Sequence, residues 1–109
     1  MADPPPTTEL LDLLGRRWAL RILWELRDAP RPFGELQERC DGMSTSVLTQ
    51  RLAELREAGL IEPGDGGYAL TDVGGRLLQR LSFFDDWARE WARLWTGGTR
   101  GRSGPRGRG

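Results

Sequence analysis

Short apolar stripes separated by dense turn chemistry run along this chain, and most stripes have a helical period. From Thr7 to Leu14, the residues Leu10, Leu11, Leu13 and Leu14 give a short helix its apolar side, with Thr7 or Thr8 as cap. Three consecutive prolines, Pro4 to Pro6, exclude a helical start before Thr7. Gly15 is a break. Arg16 to Arg27 then reads as a second helix, because Trp18, Ile22 and Leu26 recur every four residues beside Ala19 and Leu23. The segment "DAPRP" stops it. A third short helix covers Phe33 to Arg39. After a turn at Gly42, Ser44 opens the best-defined helix, Ser44 to Ala58, with Val47, Leu48, Leu52 and Leu55 as its stripe and Gly59 as its stop.

The pattern then changes period. Leu60-Ile61-Glu62 and Tyr68-Ala69-Leu70 are strand candidates around "PGDGG", which predicts a hairpin. Thr71 is placed to cap the next helix, with Asp72 in its first turn and Leu77, Leu78 and Leu81 following. Ser82 and Asp85 have capping-box spacing, so a bend or new helix is expected there. The result is a mainly α fold with a small β-hairpin. Two helices joined by a four-residue, glycine-containing turn and followed by a hairpin form the winged helix-turn-helix arrangement. Residues 7–96 are expected to form that domain. Residues 1–6 read as a disordered N-terminus and 97–109 as a flexible Arg/Gly-rich tail.

Composition narrows the chemistry. The net charge is zero, yet residues 1–96 carry 12 Arg against 16 acidic residues while the tail carries four Arg and no acid. Every cation is a guanidinium, a group suited to bidentate phosphate contacts. The chain has no histidine and a single cysteine, Cys40. Ser/His/Asp triads, histidine metal sites and an intrachain disulfide are therefore excluded, which argues against an enzyme and implies no cofactor. Cys40, between Arg39 and Asp41, reads as a small buried hydrophobe rather than a redox switch. No apolar run approaches the ~20 residues of a membrane span, and no signal peptide opens the chain. The expectation is a cytoplasmic, nucleoid-associated protein with no membrane partner.

The stretch from Leu10 to Glu62 resembles the HxlR family of winged helix-turn-helix transcriptional regulators. The resemblance rests first on Leu14, Gly15, Arg17, Trp18, Ile22 and Leu23, then on Phe33, Glu35 and Leu36. It continues through Gly42, Met43, Ser44, Val47, Leu48, Thr49, Arg51, Leu52, Leu55, Gly59, Leu60 and Ile61, with "YALTDVG" after the hairpin. Three departures stand out. The family's N-terminal cysteine would fall near Pro5, where there is none. The wing is short, with Asp65 at its tip, and Ser46 and Ala53 stand where basic residues are common.

The resemblance implies double-stranded DNA as partner, with the 44–58 helix in the major groove. Its candidate contacts are Ser44, Thr45, Ser46, Thr49, Gln50 and Arg51. Gln50 suits adenine edges, and Arg51 suits guanine or phosphate. Arg16 and Arg17, placed at the start of the second helix, are candidate phosphate contacts. From pattern alone, each set fits a solvated polar face equally well. The Arg/Gly tail would add non-specific affinity or simply solubility.

Near the C-terminus, "SFFDDWAREWARLW" holds three of the five tryptophans, four residues apart on one helix face. In a fold whose terminal helices make the dimer, Leu81, Phe84, Trp87, Trp91 and Trp95 are expected to pack on a second copy with Leu10, Leu11 and Leu14, since interface cores favour Trp and Phe. The expected function is a homodimeric repressor reading a pseudo-palindromic operator. Two alternatives remain open. One is a protein-interaction module without DNA affinity, favoured by the acidic wing. The other is a regulator whose aromatic helix binds a small aromatic effector.

Overall fold

The computed structural model describes residues 6–98, with side chains through Trp95. Residues 1–5 of the expected disordered N-terminus and residues 99–109 of the expected tail lie outside the described residues. The elements are α1 (Pro6–Leu14), α2 (Ala19–Glu25), α3 (Phe33–Arg39), α4 (Thr45–Glu57), β1 (Ile61–Gly64), β2 (Gly67–Leu70), α5 (Asp72–Arg80) and α6 (Phe84–Gly98). This is the winged helix-turn-helix order. The chain divides into two compact units, one through Leu78 and one from Gln79 onward.

The first unit holds the core. Ile22, Leu23, Leu36, Leu48, Leu55 and Ile61 are fully buried, and Ala19, Leu26, Cys40, Met43, Leu52, Leu60 and Leu78 complete the set. Burying each large aliphatic side chain stabilises the fold by about 1.5–3 kcal/mol, so these residues fix α2, α3 and α4 against one another. An ion network locks α2 to α3 from outside. Glu25 accepts from Arg21 at 2.9 Å and from Arg39 at 3.1 Å, and Glu35 pairs with Arg31 at 2.8 Å. Burial alone would raise the Glu25 carboxyl, but the hydrogen bonds and charges of Arg21 and Arg39 hold it below its usual range.

Four expectations change in detail. First, Pro6 is itself the first residue of α1: the first helical position needs no N–H, so proline fits there. Second, α2 begins at Ala19 rather than Arg16, because Trp18 adopts a left-handed backbone with φ 78°. Third, the strands extend inward to Gly64 and Gly67, with register Ile61↔Leu70 and Gly64↔Gly67, leaving only Asp65-Gly66 as the turn. Gly67 has φ 110°, and a Cβ there would collide with the Arg31 carbonyl. That close approach exists because Arg31 and Tyr68 exchange backbone hydrogen bonds of 2.9 and 2.8 Å, adding a third edge to the hairpin. Fourth, α6 opens at Phe84, so Ser82 lies one residue too early for the expected capping box, and the helix runs two residues past the boundary set at 96.

Thr71 caps α5 as expected. Its hydroxyl accepts from the Gly74 N–H at 3.0 Å and donates to the Gly59 carbonyl at 2.6 Å. In the second unit, α6 carries Asp85 and Asp86 in its first turn, which suits the helix dipole, and Asp85 pairs with Arg89 at 2.9 Å. Among the described residues, no helix is long and apolar enough to cross a membrane.

Candidate nucleic-acid interface

The segment from α3 to α4 places a polar helix end on the surface. Asp41 and Gly42 both take left-handed conformations, φ 61° and 69°, and turn the chain between the two helices. Gln37 fastens that turn by donating to the Met43 carbonyl at 2.9 Å and to the Thr45 hydroxyl at 3.1 Å. Ser44 is the N-cap, accepting from the Val47 N–H at 3.2 Å. Leu48, Leu52 and Leu55 are buried, which forces the opposite side of α4 outward. Ser44, Thr45, Ser46, Thr49 and Gln50 are all exposed. No acidic residue occupies the first turn of α4, so its positive dipole end is left available to an anion.

Arg51 sits differently. Its side chain is only 17% exposed, and it is committed within the protein. Its Nε donates 2.7 Å to the Arg17 carbonyl, and it pairs with Glu54 at 3.3 Å. The Arg17 carbonyl is thereby turned toward α4. The late start of α2 corrects the placing of Arg16 and Arg17: both lie in the turn before α2, not on its first turn. Arg16 pairs with Glu54 at 3.1 Å while remaining 48% exposed. Arg17 is exposed, with its guanidinium 5.7 Å from the centre of the Trp18 ring.

Glu54, which sequence reasoning did not single out, is the centre of this group. One carboxylate oxygen meets Arg16 and Arg51, and the other accepts from Gln50 Nε2 at 3.2 Å. Burial pushes its carboxyl up, but hydrogen bonds from Arg16 and Gln50 and the charges of Arg16 and Arg51 hold it below its usual range. The signal was half visible, since Gln50 and Arg51 stand four and three residues before it on one helix. The arrival of Arg16 was not visible, because it depends on tertiary structure.

The wing carries Glu62 and Asp65 and no basic residue between Ile61 and Leu70. Cys40 is fully buried, and burial pushes its thiol up to about 11. No group of acidic residues and Cys40 suited to a metal ion occurs among the described residues.

The candidate self-association residues divide between the two units. On α1, Leu10 and Leu11 are exposed and Leu14 half-buried. In the second unit, Leu81 is half-buried, while Phe84, Trp87, Trp91 and Trp95 are exposed, Trp87 to 54%. Trp91 and Trp95 stack at 5.7 Å between ring centres.

Comparison with known proteins agrees with this geometry. The model of the HxlR-like helix-turn-helix family matches residues 13–95. The HTH-type transcriptional regulator YvaP of Bacillus subtilis (strain 168) is 31% identical over 94 residues, spanning 80% of this chain and 87% of that protein. The crystal structure of quinone-bound YodB from B. subtilis superposes with a TM-score of 0.69 at 30% identity, covering 81% of this chain and 99% of that one. A possible HxlR family transcriptional factor from Thermoplasma volcanium GSS1 superposes with a TM-score of 0.71 at 25% identity, covering 83% and 87%.

Proposed function

Since the chain belongs to the HxlR-like helix-turn-helix family of transcriptional regulators, we propose that it is a homodimeric repressor that reads a pseudo-palindromic operator through the N-terminal half of α4. The observation that carries this reading is the exposed set Ser44, Thr45, Ser46, Thr49 and Gln50 at a capped helix end free of acidic residues. Thr49 and Gln50 address base edges. Ser44, Thr45 and Ser46 hold phosphate near the dipole end, and Arg16 and Arg17 reach the flanking backbone. Arg51 serves as the anchor of α4, not as a groove contact. The acidic wing stays off the phosphates. Repression follows by occlusion of the promoter, since a winged-helix domain of this size offers little surface for recruiting polymerase.

Dimerisation rests on the aromatic face of α6 together with Leu10, Leu11 and Leu14. Exposed Phe84, Trp87, Trp91, Leu94 and Trp95 share one helical face, and an apolar stripe of that size on a free surface is a liability. Footprinting on the DNA upstream of its own gene is expected to show two protected half-sites about 34 Å apart. A single protected segment, or no protection, would contradict a two-fold dimer on a palindrome. Sedimentation is expected to show a dimer that Trp91→Ala weakens, and a monomeric wild type would contradict the assignment of α6.

The same tryptophan face supports a second role, in which a planar aromatic effector enters beside the stacked Trp91 and Trp95 and shifts the dimer. The relative YodB has been seen with a quinone bound. In this chain such a response would not run through a thiolate, because Cys40 is buried and protonated. Quenching of tryptophan fluorescence by quinones and phenols tests that role.

A further inference from the structure

Gln50 and Glu54 form a pair whose chemistry bears on base recognition. The Glu54 carboxylate only accepts hydrogen bonds. Gln50 must therefore turn its amide nitrogen toward it, and the 3.2 Å contact from Nε2 to Glu54 is that arrangement. A reversed amide would set oxygen against oxygen. Nε2 carries two hydrogens, and Glu54 takes one. The second N–H and the carbonyl Oε1 are left for another partner, and a donor and an acceptor on one amide are what adenine N7 and N6 call for.

Glu54 is itself held. Arg16 at 3.1 Å and Arg51 at 3.3 Å grip its other oxygen, and Arg51 is tied to the Arg17 carbonyl. Gln50 is exposed, so without this partner its amide would sample both orientations in water.

From this chain of contacts we infer that Glu54 is a specificity-determining positioning residue: by fixing the amide orientation of Gln50 it sets a preference for adenine at one operator position. The inference rests on the reading of α4 as the groove helix. Glu54 touches no DNA in this arrangement. As an anion beside Arg16 and Arg51 it also lowers sequence-independent affinity, which sharpens discrimination from the other side.

The test uses the full chain and a pool of random-sequence duplexes. Wild type, Gln50→Ala, Glu54→Gln and the double variant are each used to enrich DNA. Dissociation constants are then measured on the enriched duplex and on versions with single A·T pairs changed to G·C. Wild type is expected to discriminate at least one A·T pair by about 10-fold, within the range for a bidentate contact. Gln50→Ala should abolish that discrimination. Glu54→Gln should remove most of it and tighten binding to unrelated duplex, with the protein still fully folded at the temperature of the assay. In the Gln50→Ala background, Glu54→Gln should change discrimination no further.

If wild type enriches no sequence, the reading of α4 fails and the role of Glu54 fails with it. If wild type enriches a motif but Glu54→Gln keeps the same discrimination, or the two substitutions act additively, only the role of Glu54 is overturned. A drop in melting temperature that accounts for the whole loss would also overturn it.

Discussion

The Nε of Arg51 donates a 2.7 Å hydrogen bond to the backbone carbonyl of Arg17, thirty-four residues earlier in the chain. That single contact ties α4 to the turn before α2. A charged donor on a backbone carbonyl at the surface contributes about 1.5 kcal/mol, the low end for such bonds. Arg51→Ala is expected to lower the melting temperature by several degrees or more. Arg51→Lys should recover little of this, because one ammonium cannot serve the Arg17 carbonyl and Glu54 with the fixed fork of a guanidinium. Thermal unfolding followed by circular dichroism checks both variants.

Arg17 is tested through salt. Its guanidinium is exposed at the surface beside the Trp18 ring. Arg17→Ala is expected to reduce the slope of log affinity against log salt by about 0.9, the value for one phosphate contact. An unchanged slope would remove Arg17 from the interface.

Two adjacent glycines in α5 should respond with opposite signs. A Cβ on Gly74 would collide with the Leu60 carbonyl, whereas a Cβ on Gly75 meets nothing within 4 Å. Gly75→Ala is expected to stabilise by about 0.5–1 kcal/mol through helix propensity. Gly74→Ala should destabilise by roughly 1–3 kcal/mol, as overpacking does. Chemical denaturation of the two variants checks the sign.

Cys40 makes stability depend on alkaline pH. Burial pushes the folded thiol from its ordinary 9.0 up to about 11. The unfolded chain therefore loses this proton first, so the contribution is whole below pH 9 and is lost as pH rises through about 11. At pH 8 iodoacetamide should leave the native protein unmodified and alkylate it in denaturant. Rapid native alkylation would show that the thiol is accessible.

Much of this architecture was legible because its determinants are local. Ser44 and Thr71 cap their helices as the sequence suggested, since a cap needs only a hydroxyl and the N–H three residues on. The glycine-containing turn, expected as the four residues Cys40 to Met43 and observed as the five from Cys40 to Ser44, and the hairpin after Gly59 were legible for the same reason. The start of α2 was not. The spacing of Trp18, Ile22 and Leu26 is helical, but Trp18 takes a left-handed backbone, which no side-chain pattern announces. The strands ran longer than expected, to Gly64 and Gly67, and Tyr68 also pairs with Arg31, a contact from outside the hairpin's own sequence. At the candidate interface, the exposed face of Thr45, Thr49 and Gln50 followed from the buried stripe of Leu48, Leu52 and Leu55. The roles of Arg51 and Glu54 emerged only with the tertiary structure.

The most direct test of the groove-helix assignment is the ratio of dissociation constants for the upstream operator and a shuffled duplex at one salt concentration, measured for wild type and for Thr49→Ala/Gln50→Ala. Wild type is expected to prefer the operator by about 10³-fold or more. The double variant should lose at least about 10-fold of that preference while binding shuffled DNA as before. A wild-type ratio near one, or a double variant that keeps the full preference, would contradict the assignment of α4 as the reading element.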